Sequence, residues 1–122
     1  FFMIKFLVKR HTISFKNAFN GLIYEFKTQP NFKIHLFFSF ISLLASFFLK
    51  ISQLEFIIII FLIITGLVIE SINSAIEAAT DAIDSRFRPD IKIAKDISAA
   101  AMLIFAFGSS LIALIIFIPK IF

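Results

Sequence analysis

Three long apolar runs, residues 32–49, 54–79 and 97–118, leave this chain few ways to fold. A helix needs about 20 predominantly apolar residues to cross about 30 Å of hydrocarbon, and each run approaches or exceeds that length. Of 122 residues 60% are hydrophobic, and the mean hydropathy of +1.00 is above the range of a soluble domain. The expected fold class is an all-α membrane protein with three transmembrane helices, forming a single domain over 1–122. Three glycines and three prolines leave no linker-like stretch that would divide it.

The connections differ in character. Lys50 to Glu55 predicts a tight turn between the first two spans, whereas Ser85 to Lys95, "SRFRPDIKIAK", predicts a basic loop broken by Pro89. Lys and Arg collect on the N-terminal side of the first span and in that second loop, against Lys50 and Lys120 at the other ends of the spans. The positive-inside rule then places the N-terminus and the second loop in the cytoplasm. Ahead of the first span, Phe15, Phe19, Leu22 and Phe26 form a helical stripe opposite Lys16, Asn17, Asn20 and Lys27. A surface helix over about 13–29, lying on the cytoplasmic leaflet, is the expectation. Lys5, Lys9, Arg10 and Lys16 interrupt the N-terminal apolar residues, so no secretory leader is expected.

The absence of cysteine excludes disulfides, thiolate metal sites and cysteine nucleophiles. A net charge of +4, gathered at the membrane flanks, suits anionic lipid headgroups and gives no reason to expect nucleic acid.

The second span ends in "ESINSAIEAATDAID". At about 100° per residue, Glu70, Asn73, Glu77, Asp81 and Asp84 fall within an arc of about 80°, one polar line along the helix. Glu70 lies about 21 Å along the span counted from Phe56, where an acid costs about 2.5–3.5 kcal/mol. Asp81 and Asp84 approach the interface and can be a solvated helix end; the line can also bind helices into an oligomer. Glu70 and Glu77 are the functional candidates, because Ser or Asn would fill a structural role at lower desolvation cost. Between Phe56 and Ile69 the only polar side chain is Thr65, so the acids stop halfway and a transport path is disfavoured. A site that opens to one side and ends near headgroup depth suits chemistry on a lipid hydroxyl with a soluble co-substrate. Lys95 and Asp96, at the start of the third span, can anchor and cap a helix or meet a phosphate. No glycine-rich phosphate loop or soluble-kinase motif is present.

The segments "ESINSAIEAATDAID" and "AKDISAAAMLI", with "GLIYEFKTQPNFKIH" before them, resemble the prokaryotic diacylglycerol kinase family. The resemblance implies an integral membrane lipid kinase, a homotrimer of three-span subunits each with a surface helix. It would use magnesium and ATP to phosphorylate diacylglycerol or undecaprenol in the bacterial cytoplasmic membrane, with its site facing the cytoplasm. By position in the motif, Glu70 matches the general base that contacts the lipid hydroxyl, Asn73 a supporting site residue and Glu77 a magnesium ligand. Lys95 and Asp96 match ATP contacts, Arg86, Phe87 and Arg88 occupy the loop that reaches the nucleotide, and Arg10 matches a further nucleotide contact. The family has a second metal-binding Glu where this chain has Gln29, and a neutral amide is the weaker magnesium ligand. Glu25, one turn away, is the candidate substitute. "NFKIH" and "IFIPKI" are similar to the undecaprenol branch. A non-catalytic assembly subunit is the alternative that Gln29 keeps open.

Overall fold

The computed structural model describes residues 2–122, with the side chains of 6–13 outside the description. Four helices follow in order: α1 (Phe2–Thr28), α2 (Pro30–Phe48), α3 (Gln53–Ile83) and α4 (Pro89–Ile121). Two compact units make up the chain, residues 1–30 and 31–122.

The first unit is α1. Its Phe15, Phe19, Leu22 and Phe26 are exposed, as an apolar stripe meant for a surrounding lipid phase would be. The helix begins well before the expected residue 13 and stops where Gln29 precedes Pro30, a position biased away from helical dihedrals. Pro30, which lacks the N–H that a first turn leaves unpaired, opens α2.

In the second unit, α2, α3 and α4 are each long and apolar enough to cross a membrane. α2 has 19 residues, about 28 Å, and so just reaches across the hydrocarbon. Lys50, at φ 50°, takes the left-handed conformation that closes α2, and the Ile51 amide donates to the Ser46 carbonyl. Ser52 then caps α3 reciprocally: its hydroxyl accepts from the Glu55 amide at 3.1 Å while its own amide donates to Glu55 Oε1 at 2.9 Å.

α3 and α4 pack against each other along their lengths, running antiparallel, with Glu55 at the start of α3 paired to Lys120 at the end of α4 at 3.4 Å. With 31 and 33 residues they measure about 46 and 50 Å, well beyond the hydrocarbon thickness. The surplus comes from the end of α3 and the start of α4. α4 starts at Pro89, so Asp90 to Lys95 are helical rather than part of the expected loop, and the connection shrinks to 84–88. Proline at the first helical position, extended Arg88 before it and Asp90 in the first turn all favour a helix start there.

The distribution of side chains is inverted relative to a water-soluble bundle. In the second unit the buried apolar residues are Phe32, Ile59, Ile91 and Ile116, while Ser46, Glu70, Asn73, Thr80 and Ser98 are buried polar ones. Most large apolar side chains face outward, where lipid is the solvent.

Candidate functional site

The last four turns of α3 carry the polar line to the face that meets α4. Glu70 is 2% exposed and Asn73 8%, Glu77 is half-buried, and Asp81 lies at the exposed end. Burial therefore increases steadily toward Glu70, into the hydrocarbon. α4 answers with two polar contacts. Ser98 donates its hydroxyl to Asn73 Oδ1 at 2.5 Å, both groups buried, and Lys95 Nζ reaches Asp81 Oδ1 at 2.6 Å. Glu77 lies between these two contacts along α3. Thr80, also buried, turns its hydroxyl back to the carbonyls of Ile76 and Glu77.

The loop residues lie apart from this face. Asp84 accepts from the Arg86 amide at 2.9 Å, a local turn that ends α3, and pairs with the Arg86 guanidinium at 3.2 Å. Arg88 pairs with Asp90 at 2.7 Å and more distantly with Asp84 at 4.0 Å. Arg86, its side chain 87% exposed, and Phe87, 78% exposed, project outward. Asp96 points away from α3 and pairs with Lys92 on its own helix at 2.6 Å. The structure thus brings Glu70, Asn73, Glu77 and Lys95 to one α3–α4 face, and leaves Arg86, Phe87, Arg88 and Asp96 on outward surfaces. Gln29 belongs to the first unit, where its backbone N–H donates to the backbone carbonyl of Glu25 at 2.9 Å. The Arg10 side chain lies outside the described residues.

Ser98 and Thr80 were not anticipated as part of this face. The available signal was spacing: Ser98 follows Lys95 by three residues and Thr80 follows Glu77 by three, which sets each on its neighbour's side of the helix.

Toward the membrane interior, one turn from Glu70, stands Gly66. A methyl group there would come within 2.7 Å of the Phe105 ring and 3.5 Å of His35 Nδ1, so glycine permits this close approach. Gly66 is also on the wall of a largely apolar cavity of about 440 Å³, which His35, Ser42, Ile59, Phe105 and Ala113 line from all three spans.

Among the described residues no three His, Cys, Asp or Glu side chains converge as a metal cage. The donor set is one half-buried carboxylate, Glu77, on a face of oxygen-bearing side chains. That set fits magnesium, which takes one or two carboxylates and completes its shell with phosphate oxygens and water.

A multi-pass helical membrane protein with an acid and an amide buried within a span, and a lysine pairing with an acid at the end of the same polar line, is the class that this fold and this face define. The family model described as prokaryotic diacylglycerol kinase matches residues 16–117. The chain belongs to that family and is a lipid kinase. It is similar to the undecaprenol kinase of Bacillus subtilis (strain 168), 38% identical over 109 residues and covering 88% of each chain. It is also similar to a diacylglycerol kinase of Synechocystis, 27% identical over 110 residues, which are 89% of this chain and 63% of that one.

Proposed function

We propose that the chain transfers the γ-phosphate of ATP to the hydroxyl of undecaprenol at the cytoplasmic leaflet of a bacterial membrane, with diacylglycerol as the second candidate substrate. The higher identity and fuller coverage of the undecaprenol kinase favour the first lipid. The observation that carries the chemistry is Glu70, 2% exposed inside a membrane span and on the face that also presents Asn73 and Glu77.

In this reading Glu70 accepts the proton of the lipid hydroxyl. A carboxylate within hydrogen-bond reach of an alcohol can take its proton as the hydroxyl oxygen attacks phosphorus. Glu77, about 10 Å further along the helix axis, is the carboxylate that would hold the metal on the nucleotide phosphates. Magnesium would supply charge neutralisation at the transferring phosphoryl group and leave the proton to Glu70. Gln29, which follows α1, with Glu25 one turn back, is carried forward as a further oxygen donor on the family resemblance alone. Lys95 would exchange its pairing with Asp81 for a phosphate, as an ammonium on a flexible stem can. Asp96, Arg86, Phe87, Arg88 and Arg10 are carried forward as nucleotide contacts on the family resemblance, as is the homotrimer. Phosphoryl transfer needs positioning and charge stabilisation more than covalent chemistry, so a few side chains on two rigid helices suffice. The apolar cavity one turn below Glu70 supports the reading, since a lipid alcohol must bring a hydrocarbon chain with its hydroxyl.

Purified protein in mixed micelles with labelled ATP, magnesium and either lipid tests the proposal. Label should appear in undecaprenyl phosphate and disappear with Glu70→Gln. Absence of label from both lipids would favour the non-catalytic assembly role, and transfer that survives Glu70→Gln would remove Glu70 as the base.

A further inference from the structure

Hydroxyls in membrane helices usually bond to a carbonyl one turn back in the same helix. In the spans Ser39 bonds to His35, Ser46 to Ser42, Thr65 to Phe61 and Thr80 to Ile76 in this way, all between 2.7 and 2.9 Å. Ser98 behaves differently. Its hydroxyl leaves α4 and donates to Asn73 Oδ1 on α3, 25 residues away in sequence, with Ser98 7% and Asn73 8% exposed.

We propose that Ser98 is a positioning residue of the kinase site, fixing which end of the Asn73 carboxamide faces the reacting groups. A carboxamide has an acceptor end and a donor end of nearly the same shape. With Oδ1 committed to Ser98, the NH₂ end is turned the other way. Asn73 follows Glu70 by three residues and precedes Glu77 by four, so its donor end belongs to the stretch of α3 between those carboxylates. The carboxyl groups on either side each present an acceptor oxygen, which favours a donor there over a carbonyl oxygen, so both ends of the amide agree on one orientation. Under the proposed function, on which this inference rests, the phosphoryl group passes through that stretch on its way to the hydroxyl at Glu70. An N–H pointed there stabilises the developing negative charge, whereas the carbonyl of a reversed amide repels it. Burial makes the orientation consequential, because a weakly solvated hydrogen bond is strong and its loss is not made good by water.

The test is a double-mutant cycle with Ser98→Ala, Asn73→Ala and the pair, measured as phosphoryl transfer to undecaprenol in mixed micelles. Ser98→Ala should lower kcat about 3- to 10-fold, the equivalent of one net hydrogen bond, while the KM for ATP and for lipid stays within about twofold. In the Asn73→Ala background, Ser98→Ala should lower kcat no further. An unchanged kcat, an equal loss in both backgrounds, or a loss that tracks thermal unfolding of the protein would overturn the proposal. A readout independent of turnover is the side-chain ¹H–¹⁵N amide signal of Asn73, assigned by its disappearance in Asn73→Ala. It should move in Ser98→Ala, and an unmoved signal would overturn the proposal. If the native protein transfers no phosphate to either lipid, the functional reading fails and the amide signal alone decides the orientation.

Discussion

The two ends of the α3–α4 pair use acids in opposite ways. At the start of α3, Glu55 completes a capping box with Ser52 and pairs with Lys120, so a single carboxylate both begins one helix and ties it to the end of the other. At the far end the acids form a line that runs inward from the helix terminus. Asp84 closes α3 and Asp81 meets Lys95, yet Glu70 and Glu77 continue the line inward, and Glu70 is the most deeply buried of them. An acid that caps a helix can sit at the interface, where hydration is cheap. An acid held inside the hydrocarbon costs stability, and the proton-accepting role proposed for Glu70 would be a reason to keep one there.

The contrast makes the two acids separable by mutation. The largest effect belongs to Glu70→Gln, which should lower phosphoryl transfer about 100- to 10,000-fold, the range expected for loss of a general base. Thermal unfolding in micelles should show the variant at least as stable as the native protein, because a neutral amide replaces a buried acid. A variant that kept a tenth of native activity would place Glu70 with Glu55 among the structural acids. Next comes Lys95→Ala, expected to raise the KM for ATP about 10- to 100-fold, as loss of a charged hydrogen bond to phosphate does. An unchanged KM would leave the Lys95–Asp81 pair as a purely structural counterpart of Lys120–Glu55.

Packing beside the site gives a third comparison. Gly66→Ala forces a methyl group against Phe105 and should destabilise the protein by about 1–3 kcal/mol in equilibrium unfolding. Gly108→Ala, in the same bundle with no atom within 4 Å of the added carbon, should be neutral or mildly stabilising. Equal effects would mean that the Gly66–Phe105 approach is loose. A smaller change is expected from Gln29→Glu, which should lower the magnesium concentration for half-maximal activity severalfold, a carboxylate being the better ligand. No shift in the magnesium titration would count against the metal role carried forward for Gln29. The smallest is Glu55→Gln, which should lower the thermal unfolding midpoint only slightly through the cap and the pair with Lys120, with kcat and both KM values unchanged.

Much of this architecture is legible in the chain itself. Three runs of apolar residues can satisfy their backbone in lipid only as helices or a closed barrel, and their length selects helices. The 3.6-residue period puts Glu70, Asn73 and Glu77 on one line whatever surrounds them. The start of α4 was harder to read, because Lys92 and Lys95 look like loop residues when the expectation is a span that begins with hydrocarbon. Pro89 marks a helix start as readily as a break, and α4 simply extends past the membrane.

The sequence by itself determined which residues share the polar face of α3 and roughly how deep each one lies, because periodicity and apolar length are local properties of one helix. Only the tertiary structure decided what that face meets: Ser98 opposite Asn73, Lys95 opposite Asp81, Phe105 against Gly66, and Asp96 turned outward. Those pairings depend on the register between two antiparallel helices, which is set by packing along their whole length.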